Sequence, residues 1–559
     1  MRDRRNTNLS TSSTSSTQSS PPLPSRSSLN EKRSTSPPLD GGLLPIPVTT
    51  KENRSRPRRV RTMITRLLAG VCALLICTRC LLSWPSTSAN AGLESGGNQL
   101  PSEPAAVIIS DRNGRSHWTV SIPLNATFPL LPNQYHNICT QAGALSETGL
   151  ASASSLSRVR GWRHGGSYMR LDHAYMDVEM AQDRGLLPGG GKTVEATCER
   201  SMTFVMDEED TSSGKTLLSL WLSYGLAKKE NRAFFLDDSR WAYGRYASYF
   251  MPPPPPGCTP PPASQIVPCP HGAKHIIVST ATAHWAFGTA FKAQHTSSRR
   301  HGPERSHKVF EMLRRGYEDL FKLFGEDADF VHQRIAELKA GSQASGQPIV
   351  GMHIRRGDLH PLSYEYSRDY LPLELYTNAA AHLIASLTTS SRVSTLLTKE
   401  AHQQTLLLAS DDPSLIINPD LLTSSPSSLT ILPAQSRILL ATKSALDASS
   451  PADSIRAPNS AYTKHIPENA GWDGGFYPSL FSSLGSSADR DQTMRMRELF
   501  GRGYLLDLAV LGGSDGVVCA VSSATCRILG VMIGWDGLKK DRWSNIDDGR
   551  VWSWDGARW

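Results

Sequence analysis

The sequence predicts an α/β protein whose parallel sheets are covered by helices and preceded by one N-terminal membrane-spanning helix. From residue 348 onwards, short apolar segments alternate with longer segments that have helical spacing. Strands and helices in this alternation form parallel sheets that are buried on both faces. An apolar run at residues 67–84 follows a cluster of arginines. The 559 residues are enough for two or three domains with substantial cores.

The net charge of +8 resides in the first 62 residues, which contain twelve Lys and Arg and only four Asp and Glu. The rest of the chain has no net charge and gives no support to nucleic-acid binding. Residues 9–30 are mostly Ser, Thr, Pro and Gln, a composition that is typical of disorder. We predict a disordered, basic cytosolic tail at residues 1–62.

The apolar run contains eighteen residues, which as a helix would span about 27 Å, close to the thickness of a hydrocarbon core. Six arginines lie between positions 54 and 66 and favour a cytosolic N-terminus. We predict an anchor at residues 63–84 and a single-pass, type II protein of the Golgi or secretory-pathway membrane. The alternatives are a signal peptide that is cleaved near residues 89–91, or a transit peptide.

This topology would place residues 85–559 in an oxidising compartment, where disulfides persist. Asn125 begins the only Asn-x-Ser/Thr sequence in that part and is a predicted glycosylation site. An even number of cysteines lies there, which favours disulfides without fixing their pairing. These cysteines are Cys139, Cys198, Cys258, Cys269, Cys519 and Cys526.

Residues 85–130 are polar and resemble a stem, and the folded part divides at residue 340. We predict an N-terminal domain at 131–340 and a C-terminal domain at 341–559. Apolar runs and flanking turn residues predict strands at 232–236, 348–354, 404–409, 429–432 and 515–520. Helical spacing predicts helices at 217–227, 308–339, 372–387, 495–510 and 523–533. In such sheets ligands bind beyond the carboxyl ends of the strands.

A pair of arginines, Arg355 and Arg356, follows one predicted strand in the segment GMHIRRGD at residues 351–358. A guanidinium group is always charged and binds phosphate oxygens in a bidentate fork. The pair therefore suits a site that stabilises a diphosphate. The alternative is a strand end that carries solvated arginines.

Four segments in the same order resemble the α1,6-fucosyltransferase family and its bacterial nodulation relatives. They read RAFFLDDSRWAY at 232–243, GMHIRRGD at 351–358, LLLASDDPSLI at 406–416 and GYLLDLAVLGGSDGVVCAVSSATCRI at 503–528. The resemblance covers roughly residues 216–535. Its last segment is the most specific, because two cysteines and two serines stand in the family's positions.

The resemblance implies a GT-B arrangement of two Rossmann-like domains, with the acceptor side at 131–340 and the donor side at 341–559. It implies inverting transfer of fucose from GDP-fucose to a glycan or glycoprotein acceptor. Arg355 would stabilise the leaving diphosphate, Asp507 would bind guanine, and Tyr243 would close over the nucleotide. The other donor-binding residues would be His353, Arg356, Asp411, Asp412, Ser522 and Ser523.

Several of these assignments have structural alternatives. Ser522 or Ser523 could cap the helix that follows instead of binding phosphate. Asp412, which precedes a proline, could likewise be a helix N-cap. The resemblance implies a disulfide between Cys519 and Cys526, and the alternative is two buried thiols.

The sequence departs from the family where the general base is expected. That position holds Ser363, and the nearest carboxylates are Glu365 and Asp369, so we assign the base to Glu365. No Asp-x-Asp motif with apolar flanks and no zinc-ligand spacing is present, so we expect neither a metal nor another cofactor. Alternative functions are a protein O-fucosyltransferase, another GDP-sugar transferase, or a non-catalytic membrane lectin or scaffold.

Overall fold

The computed structural model describes most of the chain after residue 99. The described ranges are 100–147, 172–189, 196–207, 212–356, 371–390, 404–425, 429–439, 487–547 and 549–556. All of them belong to one compact unit, Ser88–Trp559. The predicted tail and anchor lie outside these ranges, and within them no helix has the length and hydropathy needed to cross a bilayer. Glu365 also lies outside, so these three assignments stay predictions.

The described part contains one antiparallel hairpin and two parallel sheets. The strands are β1 (Ala105–Ser110), β2 (Ser116–Ser121), β3 (Ser201–Val205), β4 (Ala233–Asp237), β5 (His275–Val278), β6 (Val350–Ile354), β7 (Gln404–Ser410), β8 (Leu429–Pro433), β9 (Gly516–Cys519) and β10 (Trp543–Asn545). The prediction of an α/β protein with parallel sheets is confirmed.

Helices follow most of the strands and cover the parallel sheets. They are α1 (Pro132–Glu147), α2 (Val178–Asp183), α3 (Ser213–Lys229), α4 (Ala283–Ala286), α5 (Thr289–His295), α6 (His307–Leu320), α7 (Gly325–Ser345), α8 (Leu373–Ser390), α9 (Pro419–Ser424), α10 (Ser487–Gly512), α11 (Ala524–Ile533) and α12 (Trp535–Lys539).

The five-stranded sheet has the strand order β10-β9-β6-β7-β8, and its strands are all parallel. Counted along the chain from β6, this is the order 3-2-1-4-5 that nucleotide-binding sheets of the Rossmann type show. The direction of strand addition reverses between β6 and β9. Such a reversal opens a crevice beyond the carboxyl ends of the two strands, and ligands bind there.

The three-stranded sheet has the order β4-β3-β5, also with parallel strands. Helix α3 connects β3 to β4 and packs tightly against α6. A Cβ atom at Gly316 would lie 2.3 Å from the carbonyl oxygen of Trp221, and one at Gly225 would lie 2.1 Å from that of Met312. Only glycine allows the two helix backbones to approach so closely.

Helix α6 also contacts α11, which follows the central crevice strand β9. The Arg314 guanidinium donates hydrogen bonds of 2.9 and 2.8 Å to the carbonyl oxygens of Val531 and Met532 at the end of α11. These carbonyls have no partner within a helix, so a cation there is favourable. One continuous apolar core joins the hairpin, the three-stranded sheet and the inner face of the five-stranded sheet.

Two segments differ from the sequence prediction. Residues 308–339 form two helices instead of one, because Leu323 pairs with Phe250 in a β-bridge and Gly325 has a positive φ of 59°. Within the segment assigned to the stem, β1 and β2 form a hairpin whose Trp118 is buried in the core. The folded part therefore begins before residue 131.

Candidate functional site

The two arginines stand directly beyond the carboxyl end of β6. His353 is buried near the end of the strand, whereas Arg355 and Arg356 follow it and are half-buried. Met352 pairs with Val518 on β9. Because adjacent strands lie about 5 Å apart, the arginines emerge beside the turn that follows β9. They therefore occupy one side of the crevice.

Asp411, at the end of the neighbouring strand β7, fixes the backbone of this arginine pair. Its Oδ1 accepts a 2.6 Å hydrogen bond from the N–H of Arg356. Burial raises the pKa of Asp411 to about 8, although the positive charge of Arg355 and the bond from Arg356 oppose this rise. Its other oxygen, Oδ2, has no hydrogen-bond partner in the described part of the chain. Burial therefore favours the protonated form of Asp411.

Asp412 caps a short 3₁₀ helix, Pro413–Ile417. Its Oδ1 accepts a 2.9 Å hydrogen bond from the N–H of Ser414, and Pro413 occupies the first turn. The structural alternative weighed for Asp412 is thus realised. The same residue also lies in the wall of a cleft, so capping does not remove it from the candidate site.

An open cleft of about 170 Å³ lies beyond the ends of β7 and β8, with Asp507 of α10 in its wall. Burial raises the pKa of Asp507 well above its ordinary value, and the N–H of Gln435, which hydrogen-bonds to this carboxyl, opposes the rise. Apart from Asp507 the cleft combines apolar side chains with a few polar groups. Its lining is Leu408, Ala409, Ser410, Asp412, Pro413, Ile416, Pro433, Gln435, Ile438 and Leu439.

The turn between β9 and α11 forms the other side of the crevice. Ser523 occupies the N-cap position of α11, but its hydroxyl makes no capping hydrogen bond. Although only 2% of this residue is exposed, its Oγ has no hydrogen-bond partner in the described structure. A buried hydroxyl without a partner costs free energy. Ser523 is therefore a donor that a bound anion could satisfy.

Two side chains brace this turn, one from the last residue of β10 and one from just beyond the strand. The N–H of Val521 donates to Asn545 Oδ1 and the N–H of Ser522 donates to Asp547 Oδ2, both at 2.9 Å. Asp547 is itself paired with Arg550 at 3.2 Å. These two amides are thus occupied within the protein. Anion binding at the turn would therefore depend on serine hydroxyls and on the first turn of α11, and not on these two backbone N–H groups.

The three disulfides of the described structure use the six cysteines of the predicted lumenal part. Cys519 is bonded to Cys526, the pair that the family resemblance implied, and the bond flanks the turn between β9 and α11. Cys139 is bonded to Cys269 and Cys198 to Cys258. The Cys519–Cys526 bond joins β9 to α11, and the other two disulfides lie in the N-terminal half.

The comparisons with known proteins add little to this geometry. No protein-family model matches the chain, and no curated protein matches it significantly. Among solved structures, a mutant of Arabidopsis thaliana FUT1 in complex with GDP is similar, with 12% sequence identity and a TM-score of 0.27. The match covers 60% of this chain and 68% of the other. A similarity of this size is too low to establish a common fold.

Two predicted site residues lie elsewhere. Tyr243 is completely buried and packs beside Trp241 and Tyr249, next to Gly501 of α10. The structure does not bring it to the cleft. Asn125 lies in an exposed turn, where its side chain is accessible for glycosylation.

The sequence analysis did not identify three residues that support the site, Gln435, Asn545 and Asp547. Gln435 follows the predicted strand at 429–432, and the rule that ligands bind at carboxyl ends of strands could have identified it. Asn545 ends the short strand β10 and Asp547 follows it, and no clear apolar run predicts this strand. Within the described ranges, no cluster of three or more His, Cys, Asp or Glu residues could hold a metal ion. Metal independence stays a prediction.

Proposed function

We propose that the chain is a glycosyltransferase that uses a GDP-sugar and that the sugar transferred is fucose. One observation carries the proposal. The strand order reverses between β6 and β9, and the carboxyl ends of these two strands carry Arg355 and Ser523. Sheets of this order bind nucleotides at that place. An arginine and a helix N-terminus are suited to a diphosphate.

The cleft beside Asp507 is the proposed site of the nucleotide base. A guanine ring offers two adjacent N–H donors, which a single carboxylate can accept together. An ionised Asp507 would satisfy both, and the bond to the ionised form would lower its raised pKa. The choice of guanine over other bases rests on the family resemblance of the segment at 503–528, and the choice of fucose rests on the same resemblance.

The proposed reaction is a direct displacement in a GT-B arrangement. An acceptor hydroxyl oxygen forms a bond to the anomeric carbon, and the bond from that carbon to the β-phosphate oxygen breaks. The leaving diphosphate takes the electron pair and is stabilised by Arg355. The hydroxyl proton passes to a carboxylate, which we assign to Glu365. The configuration at the anomeric carbon is inverted because attack and departure occur on opposite faces.

The protein is further proposed to be a single-pass membrane protein of the Golgi or secretory pathway that carries a glycan at Asn125 and acts on a glycan or glycoprotein acceptor. The six cysteines joined in three disulfides support an oxidising compartment. Protease treatment of intact microsomes tests the topology: only the tail before residue 63 should be cleaved.

The decisive experiment incubates the full-length protein with labelled GDP-fucose and a panel of glycan and peptide acceptors. Transfer from GDP-fucose, undiminished by excess chelator, is the expected result, and GDP-mannose and UDP-sugars serve as competing donors. Transfer from another GDP-sugar would replace fucose in the proposal. Binding of GDP without transfer or hydrolysis would favour the lectin or scaffold alternative. Absence of GDP binding would refute the assignment of the crevice.

A further inference from the structure

One buried carboxylate contacts two elements that line the cleft beside Asp507. Asp327 lies in the first turn of α7, and 4% of it is exposed. Its Oδ2 accepts a short hydrogen bond from Nε of Arg502, and its Oδ1 lies 3.3 Å from Nε of Arg437. Two positive charges therefore converge on one carboxylate.

The two arginines do not line the cleft themselves but belong to two elements that do. Arg502 lies on α10, five positions before Asp507, so it is fixed to the same rigid helix. Arg437 lies in the segment of residues 433–439, which begins at the last residue of β8 and is here called the β8 loop. This loop supplies Gln435 and Ile438 to the cleft. The distance between helix and loop is therefore set partly by the geometry around Asp327.

The β8 loop is ordered by further contacts with α7 and with itself. Arg334 of α7 donates hydrogen bonds of 3.2 and 3.4 Å to the carbonyl oxygens of Pro433 and Ala434. The Gln435 side chain accepts from the N–H of Ile438 and donates to its carbonyl oxygen, at 2.9 and 2.8 Å. The N–H of Gln435 in turn hydrogen-bonds to the Asp507 carboxyl group. A displacement of the β8 loop would therefore disturb the hydrogen bond between the Gln435 N–H and Asp507.

We propose that Asp327 is a positioning residue for the nucleotide base: it pairs with Arg437 and Arg502 and thereby fixes the β8 loop against α10. The inference rests on the proposed nucleotide function of the cleft. Without the Asp327 carboxylate, the two guanidinium groups would face each other. The exposed Glu326 carboxylate beside Arg437 would offset their repulsion only weakly, so the repulsion would separate loop and helix. The base would lose its fit, whereas the diphosphate contacts at Arg355 and Ser523 would remain.

Glu326 provides a matched control. Its carboxylate lies 2.5 Å from Nη2 of Arg437, but its side chain is 82% exposed. Exposed ion pairs contribute little, and Glu326 has no bond to Arg502 among the described contacts. Glu326→Gln therefore removes a neighbouring negative charge of the same kind without opening the connection between loop and helix.

The experiment compares GDP with UDP, which has the same diphosphate and ribose but a different base. In the full-length protein, Asp327→Asn should weaken GDP binding by about tenfold or more, equivalent to about 1.4 kcal/mol, and change UDP binding about twofold at most. Glu326→Gln should leave both affinities unchanged, and Asp327→Glu should restore part of the GDP affinity. In turnover assays, KM for the donor should rise while kcat stays close to that of the unmodified protein.

Arg437→Gln covers the case in which Asp327→Asn fails to fold, because it releases the loop and leaves Asp327 paired with Arg502. It should also weaken GDP binding selectively. Equal losses for GDP and UDP, or no loss in either Asp327→Asn or Arg437→Gln, would overturn the positioning role and leave the proposed function intact. If the unmodified protein binds no GDP, the proposed function fails, and the positioning role fails with it.

Discussion

The backbone N–H of Arg356 donates a 2.6 Å hydrogen bond to Oδ1 of Asp411, and this bond ties the carboxyl end of β6 to that of β7. Burial raises the pKa of this carboxyl group to about 8, which favours its neutral form. A neutral Asp411 does not compete with an anionic ligand for Arg355, although the two side chains interact. The hydrogen bond between Arg356 and Asp411 thus orders the backbone that carries the two arginines, and a neutral Asp411 does not cancel the positive charge of Arg355.

The first prediction concerns the protonation of Asp411. In the unfolded chain its pKa has the ordinary value near 3.8, whereas in the folded state it is about 8. Between these values the folded state binds more protons, so stability falls as pH rises. Asp411→Asn keeps an acceptor for Arg356 but does not titrate. Its free energy of unfolding, measured with urea, should exceed that of the unmodified protein increasingly from about pH 4 to pH 8.

The other titrating groups are common to both proteins, so their effects cancel in the difference. Below about pH 4 the two proteins should be similar in stability, apart from a constant offset. The same comparison applies to ligand binding: above pH 8 the affinity for GDP should fall in the unmodified protein and not in Asp411→Asn. A stability difference that does not change with pH would show that Asp411 is ionised in the folded state.

The second prediction separates the two arginines. Arg355→Lys retains the charge but loses the bidentate fork, so stabilisation of the departing diphosphate should fall. We expect turnover to drop by about 100-fold or more, as for loss of one transition-state donor. GDP affinity should fall less, because the Ser523 hydroxyl and the helix terminus remain. Turnover and GDP affinity are measured on the same folded variant.

Arg356→Lys is the matched comparison. Its backbone bond to Asp411 does not depend on the side chain, so the loop should stay in place. We expect weaker donor binding and a smaller loss of turnover than for Arg355→Lys. If Arg355→Lys binds GDP weakly but turns over normally, Arg355 acts in the ground state only. If neither substitution has an effect, the donor site lies outside this crevice.

Much of the fold is predictable because its central strands are buried on both faces. Strand β7 contains three consecutive leucines, Leu406–Leu408, and strands β6 and β9 are also mostly apolar. Such runs identify parallel strands, and the polar residues that follow them identify the site. The positions of Arg355, Asp411 and Ser523 follow from this rule. The β1–β2 hairpin also has a local signal, since Asn113 and Gly114 form its turn and Gly114 has a φ of 74°.

The remaining parts depend on contacts between residues far apart in sequence. Asp327 and Arg502 are separated by 175 positions, and no local pattern brings them together. The family resemblance implied guanine as a partner of Asp507, but no local pattern indicated that the backbone N–H of Gln435 also bonds to its carboxyl group. The break between α6 and α7 depends on a β-bridge to Phe250. Helical spacing alone cannot reveal such tertiary effects.

The third prediction contrasts two disulfides. Cys519–Cys526 spans 7 positions and Cys139–Cys269 spans 130. In the chain-entropy model the shorter loop stabilises the protein by about 2 kcal/mol and the longer by about 5 kcal/mol. Replacing both cysteines of a disulfide by alanine should therefore lower the free energy of unfolding less at Cys519/Cys526 than at Cys139/Cys269. Denaturant titration of both variants measures the difference.

The loss of GDP affinity should instead be larger for the Cys519/Cys526 variant than for the Cys139/Cys269 variant. The bond between Cys519 and Cys526 braces the turn that carries Ser523, whereas Cys139 and Cys269 lie in the N-terminal half. Per folded molecule, the Cys519/Cys526 double-alanine variant should bind GDP more weakly, and the Cys139/Cys269 variant should bind it normally. Loss of affinity in the second variant alone would place the nucleotide site in the N-terminal half.

The last prediction concerns the crossing of α3 and α6, which positions α11 through Arg314. A Cβ atom at Gly316 would lie 2.3 Å from the carbonyl oxygen of Trp221, and this neighbour is backbone that cannot rotate away. Gly316→Ala should therefore force the helices apart and cost about 1–3 kcal/mol of unfolding free energy. Gly341 of α7 is the control, since a Cβ there meets no atom within 4 Å. Gly341→Ala should stabilise the protein by about 1 kcal/mol through helix propensity. Thermal and denaturant unfolding of both variants measure the two effects, and a neutral Gly316→Ala would mean that the helices do not cross at this distance.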